Sequence, residues 1–167
     1  MIFRLSQKLA KKIKTAPTRV LPPDGNPFAD WSAHLFTADR AQYILLTNTA
    51  SLYSTVMHGR GVSCDNELLK RGLSQIRALM IDDGLELIYT RLVGPSTGTI
   101  HFSKGLNRSV TGSMNDLVYH AKMWLIQGEL SPHDVSFKLN EIPMSALAYA
   151  NPREILKSLK PEPHDRS

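Results

Sequence analysis

A chain of 167 residues, 42% hydrophobic and 21% charged, has the proportions of one folded domain and excludes an intrinsically disordered protein. No run approaches the roughly 18 apolar residues of a membrane-spanning helix, and the single Cys64 cannot form an internal disulfide. The net charge of +5 is local: residues 1–20 carry six cations and no acid, whereas the remaining 147 carry 14 cations against 15 acids, so a basic face across the whole fold is not expected.

Ile2, Phe3 and Leu5 predict a short strand. Ser6 then caps a basic helix over about residues 6–14, with Leu9 and Ile13 inward at i, i+4 and lysines filling much of the rest. Because this start has no continuous apolar segment, a secretory signal is not expected, and with one thiol the chain reads as cytoplasmic. APTRVLPPDGNP (16–27) is a loop rich in Pro and Gly. WSAHLFT (31–37), YILLTNT (43–49) and SLYSTVM (51–57) are β-type runs, with a turn at Asp39-Arg40 that makes an antiparallel meander.

HGRGVSCDN is a second loop. From Asn66 to Asp82 the residues Leu68, Leu69, Leu73, Ile76, Leu79 and Met80 keep helical spacing, with Gly84 near the boundary. LELIYTRLV (85–93) has the length of a short helix and the composition of a strand; helix is the preferred reading. GPSTG (94–98) breaks the chain and TIHFS (99–103) predicts another strand. The clearest helix carries Met114, Leu117, Val118, Ala121, Trp124 and Leu125 on one face and stops at Gly128. Pro132 opens a short helical turn, and Asn151-Pro152 caps a final helix before the fraying tail KPEPHDRS. Strands and helices without βαβ alternation predict an α+β fold. Residues 1–150 form a single domain, a small mostly antiparallel sheet packed against two longer helices. Residues 151–167 add a short helix and tail.

The densest chemistry lies in NRSVTGSMND, residues 107–116. One reading is structural: Ser113 as N-cap after Gly112, with Asp116 at N3 in a near capping box, and Asn115 and Asp116 complementing the macrodipole. The other is an anion site built from Arg108, Ser109, Thr111, Ser113, Asn115 and Asp116 at a helix start. The phosphate-loop pattern GxxxxGK[ST], GxGxxG and the GxSxG elbow are all absent. The cap accounts for the Gly, Ser, Asn and Asp without a ligand and is preferred.

Six histidines (His34, His58, His101, His120, His133, His164) show no metal-ligand spacing, so neither a metal nor a cofactor is expected. His120 follows Asp116 by four residues, which suits a surface helical pair. His34 and His101 lie in predicted strands that are open to sharing a sheet face. Asp82, Asp83 and Glu86 read as a solvated acidic cluster, and Cys64 as a buried structural thiol. Lys8, Lys11, Lys12 and Lys14 are either the solvated face of a docked helix or a contact for nucleic acid or an acidic protein. Membrane-surface binding is less expected, because the apolar face is narrow and lacks Trp, and no aromatics interleave for base stacking.

IFRLSQKLAKKIK, NPFADWSAHLF, YILLTNTASLYSTVM and RSVTGSMNDLVYHAKMWL, in this order and spacing, resemble a family of small bacterial domains of unknown function. The resemblance runs from residue 1 to about 145 and is best at Trp31, Leu35, Asn48, Arg108, Ser109, Gly112, Asn115 and Asp116. It implies a compact intracellular α+β domain of prokaryotic origin and carries over no catalytic residue. With no metal spacing, nucleotide motif or triad, the expected role is a non-enzymatic macromolecule-binding or regulatory module. The alternatives are a small-anion site or enzyme at 107–116, and nucleic-acid binding through the N-terminal lysines.

Overall fold

Short runs of β-branched and aromatic residues build β1 (Ile2–Leu5), β2 (Asp30–Ala38), β3 (Ala41–Asn48), β4 (Ser54–His58) and β5 (His101–Lys104) in the computed structural model, which describes residues 1–163. They form one sheet in the order β4-β3-β2-β1-β5. β2, β3 and β4 are the expected antiparallel meander. Asp39 and Arg40 turn it with φ of 47° and 65°, the left-handed pair that a two-residue hairpin needs.

β1, however, runs parallel to both β2 and β5. The sheet is therefore mixed and not mostly antiparallel. Long connections, residues 6–29 before β2 and 59–100 before β5, allow the crossovers that parallel neighbours require. The third β run also starts later than residue 51. The backbone turns at Leu52 (φ 65°), held by Asn48, whose carbonyl accepts the Leu52 N–H and whose side chain accepts the Ser51 N–H.

The helices are α1 (Gln7–Ile13), α2 (Asp65–Asp82), α3 (Glu86–Ile88), α4 (Arg108–Ile126), α5 (Pro132–Leu139) and α6 (Pro152–Ser158). Ser6, Ser131 and Asn151 cap α1, α5 and α6 by accepting backbone N–H bonds. The helical reading of 85–93 holds, because α3 runs into a π turn at Tyr89–Val93 and a 3-10 turn at Gly94–Ser96. Gly128 is the stop for α4: a Cβ there would lie 2.9 Å from the Trp124 carbonyl oxygen. His164 and the rest of the tail beyond Pro163 lie outside the described residues.

Strand alternation sends side chains to two cores. Trp31, Ala33, Ile44 and Leu46 meet Leu9 and Ile13 of α1, Leu68, Ile76 and Leu79 of α2, and Leu156 of α6. Phe36, Ala38, Leu45 and Val56 meet Met114, Leu117, Val118 and Ala121 of α4 and Val135 and Leu139 of α5. The two long helices, α2 and α4, thus cover opposite faces of the sheet.

The outer edge of β4 is closed by side chains at the end of α5. Asn140 accepts the Ser54 N–H through Oδ1 at 2.8 Å and donates through Nδ2 to the Ser54 carbonyl at 2.9 Å, while Ser136 Oγ accepts the Val56 N–H at 2.8 Å. An otherwise open edge is thereby paired. Asn140→Ala strips two buried backbone groups of their partners and is expected to cost about 2–4 kcal/mol. Chemical denaturation measures this directly, and a loss below about 0.5 kcal/mol would mean that water replaces the amide.

Candidate functional site

β1 and β5 are adjacent and parallel, and each passes almost directly into a helix. α1 packs on one face of the sheet and α4 on the other. Two neighbouring parallel strands that send their chains to opposite faces leave a crevice beyond their carboxyl ends, which is where open α/β sheets receive ligands. Here the crevice has a volume of about 1230 Å³. Lys8 and Lys11 of α1 and its C-cap Lys14 form one wall, Thr111 and Asn115 of α4 the other, and Ser32 and His34 of β2 lie between them. A second cavity of about 620 Å³ adjoins it and reaches Lys12, Gln42 and Lys122. Lys8, Lys11, His34 and Asn115 line both.

Among the described residues the two cavities are lined by Lys8, Lys11, Lys12, Lys14, Lys104 and Lys122, and by no carboxylate. None of these six lysines joins an ion pair among the described residues; Lys12 donates to Gln42 Oε1 at 2.8 Å. Arg4 also borders the crevice, but its charge is already matched. Its Nε and Nη2 each lie 2.8 Å from an oxygen of Asp30, and its remaining donors reach Ser103 Oγ and the carbonyls of Leu21 and Pro22. Arg4 thereby ties the loop 16–27 to the sheet, whereas the lysines remain uncompensated.

His34 registers that field. Burial, then Lys8 and Lys122, push its pKa below the ordinary value of 6.5. The imidazole is neutral at neutral pH, and its proton is disfavoured by the same positive charge that an anion would offset. The Tyr53 hydroxyl is pushed far upward by burial and by Asp83, but it belongs to a structural clamp. Asp83 accepts from Tyr53 Oη at 2.8 Å and from Arg153 Nε at 2.8 Å, which fastens α6 to the body. Asp82 pairs with His133 at 3.0 Å. Two of the acids read as a solvated cluster are therefore tied to partners, because α5 and α6 return to them.

The opening of α4 departs from the sequence reading. Its N-cap is Asn107, which accepts the Val110 N–H at 2.9 Å; Ser113 is a buried residue within the helix. Val110 and Met114 already pack inward at i, i+4, so apolar burial starts the helix earlier, and Gly112 meets nothing that a Cβ would touch. Residues 108–116 consequently span about two and a half helical turns, and their side chains fan around the axis. Thr111 and Asn115 face the crevice. Arg108 and Ser109 are exposed outside its lining, as is Asp116, so the six do not form one site.

Of the N-terminal lysines, Lys8, Lys11 and Lys14 line the larger cavity and Lys12 the smaller. His34, Lys104 and Lys122 were not legible as partners of these groups. A signal for Lys122 existed, since Thr111, Asn115 and Lys122 recur at i, i+4, i+11 on one helical face. His34 and His101 do share a sheet face, two pleats apart, but His101 is exposed beside Ile2. His120 makes no ion pair with Asp116 among the described residues and stacks at a tilt on Trp124. Cys64 is half-buried at the start of α2, not fully buried as expected. Among the described residues no helix is long and apolar enough to cross a membrane, and no three His, Cys, Asp or Glu side chains are grouped to hold a metal.

No curated protein and no solved structure matches the chain. A family model does match, over residues 2–155: a domain of unknown function (DUF6933).

Proposed function

We propose, for a chain that belongs to the domain-of-unknown-function family DUF6933 and takes no activity from it, a non-enzymatic binding role: the crevice between α1 and α4 captures an anion. The observation that carries this is the set of six lysines around two connected cavities without one lining carboxylate among the described residues. Convergent polar groups, a perturbed histidine and a position at the carboxyl ends of parallel strands all support the same place. Ser32 Oγ pairs with Thr49 Oγ1 at 2.8 Å and not with His34, which supports binding over nucleophilic chemistry. Exposed Lys8, Lys11 and Lys14 favour an acidic protein or nucleic acid as the second reading; the lack of any Phe, Tyr or Trp in the larger cavity weighs against stacked bases. A reducing cytoplasm suits the lone, half-buried Cys64.

His34 is the reporter for the test. An anion in the crevice offsets Lys8 and Lys122, so it favours the imidazolium and must raise the His34 pKa from its depressed value. By linkage, binding then takes up a proton and tightens as pH falls across the His34 titration, which in the free protein lies below the ordinary imidazole value. NMR titration of the His34 ring with and without sulfate, whose charge is constant in this range, reads the shift. A rise on adding sulfate that chloride at equal ionic strength does not produce supports the site. An unchanged His34 titration at sulfate concentrations that bind elsewhere would place the anion outside the crevice.

A further inference from the structure

Resting on the anion-binding reading, we propose that the occupant is a free single-chain amphiphile: a phosphate-class head group held where the two cavities meet, and an apolar tail laid along the larger one. The junction is formed by Lys8, Lys11, His34 and Asn115, the four residues that line both cavities. On one side of it the lining is polar, with Lys12, Gln42 and Lys122. On the other the lining is mixed but gains an apolar wall, where Ala10, Pro17, Leu106 and Val110 are half-buried and Ala33 and Met114 are almost fully buried. The site therefore has lysines along both arms, with exposed Lys14 and Lys104 bordering the larger one, but a continuous apolar wall only in the larger.

A small hydrophilic anion would use only the junction. It would leave the apolar wall wet and most of a 1230 Å³ crevice unfilled, where cavities of roughly 300–1,000 Å³ hold whole ligands. A nucleotide would need a flat ring platform, and the larger cavity has no Phe, Tyr or Trp. An extended peptide would bring its own N–H and C=O groups, but the long walls are two helices whose backbone groups are already bonded internally. A tail has neither requirement, since it needs only apolar surface to leave water. Lys8 and Lys11 at the junction, with Lys12 and Lys122 beside it in the smaller cavity, favour a doubly charged head group over a carboxylate.

The test uses the full chain and calorimetry, first with inorganic phosphate and then with n-alkyl phosphates from butyl to decyl, each below its micelle concentration. Affinity is expected to rise about two- to fourfold for each methylene, then level off once the cavity is filled. Val110→Asn should flatten this rise and leave phosphate binding within about twofold; Leu106→Ser, at an irregular position before α4, carries the same expectation if the first variant folds poorly. Phosphate binding with no dependence on chain length would overturn the amphiphile and leave the anion site standing. Binding of neither phosphate nor alkyl phosphate would remove both. Alkyl alcohols binding as tightly as the phosphates would overturn the head-group assignment. Partition onto phosphatidic acid vesicles without binding of the free compounds would overturn a free ligand in favour of a membrane surface.

Discussion

Replacing Lys8 and Lys11 together by glutamate will lower affinity for a phosphate-class anion on the order of 100-fold, with the unfolding free energy changed by less than about 0.5 kcal/mol. The two effects separate because the helix divides its labour. Leu9 and Ile13, both almost fully buried, hold α1 to the sheet, while Lys8 and Lys11 are exposed and lie outside every ion pair among the described residues. Each reversal turns one attraction into one repulsion. At contact distance in a near-aqueous dielectric that is about 2 kcal/mol per lysine before salt screening. About 3 kcal/mol remains for the pair, which is roughly 100-fold in affinity. Calorimetric titration and thermal denaturation of the same samples measure both quantities. Arg108→Ala is the matched control, because Arg108 is exposed but outside the crevice lining; it should change affinity by less than about twofold. If Arg108→Ala abolishes binding and the lysine reversal does not, the anion sits at the first turn of α4 and not in the crevice.

The largest loss of stability is expected from Asp30→Asn. Arg4 is only 1% exposed and Asp30 3%, and the two are joined by paired bonds of 2.8 Å. Asp30 also accepts the Asp24 N–H at 3.1 Å. Removing its charge leaves a guanidinium in the interior without a counter-ion, at about 3–5 kcal/mol. For a chain of this size that is a fall in melting temperature of roughly 10–15 °C. The pair is not a strong net stabiliser by itself, because both groups gave up their hydration. Arg4→Met combined with Asp30→Leu should therefore recover part of the loss. A double-mutant cycle by denaturant unfolding gives the coupling directly. A cost under 1 kcal/mol for Asp30→Asn would mean that water reaches Arg4.

What could be read in advance follows the range of the interaction. Leu9 and Ile13, the run from Leu68 to Met80, and the Asp39-Arg40 turn are signalled by neighbours a few residues apart, and each forms the expected element. The start of α4 differs from the expected one because Asn107 and Ser113 are both competent caps by type; the inward packing of Val110 chose between them. The acids at 82 and 83 looked solvated because their partners, His133, Tyr53 and Arg153, lie 30 to 70 residues away.

The sequence by itself determined the amphipathic helices, the β2–β3–β4 meander, the concentration of positive charge on α1 and membership of a family without an assigned activity. Periodicity and local charge are properties of adjacent residues, and they survive without a fold. Only the tertiary structure decided that β1 pairs in parallel with both β2 and β5, across 28 and 99 residues of chain. That pairing places α1 and α4 on opposite faces and opens the crevice. It brings Lys8 and Lys11 to His34, Asn115 and Lys122, which no spacing along the chain connects. Strand register is set by how two distant segments bury their apolar faces together, so a site built from it comes into being only when the sheet closes.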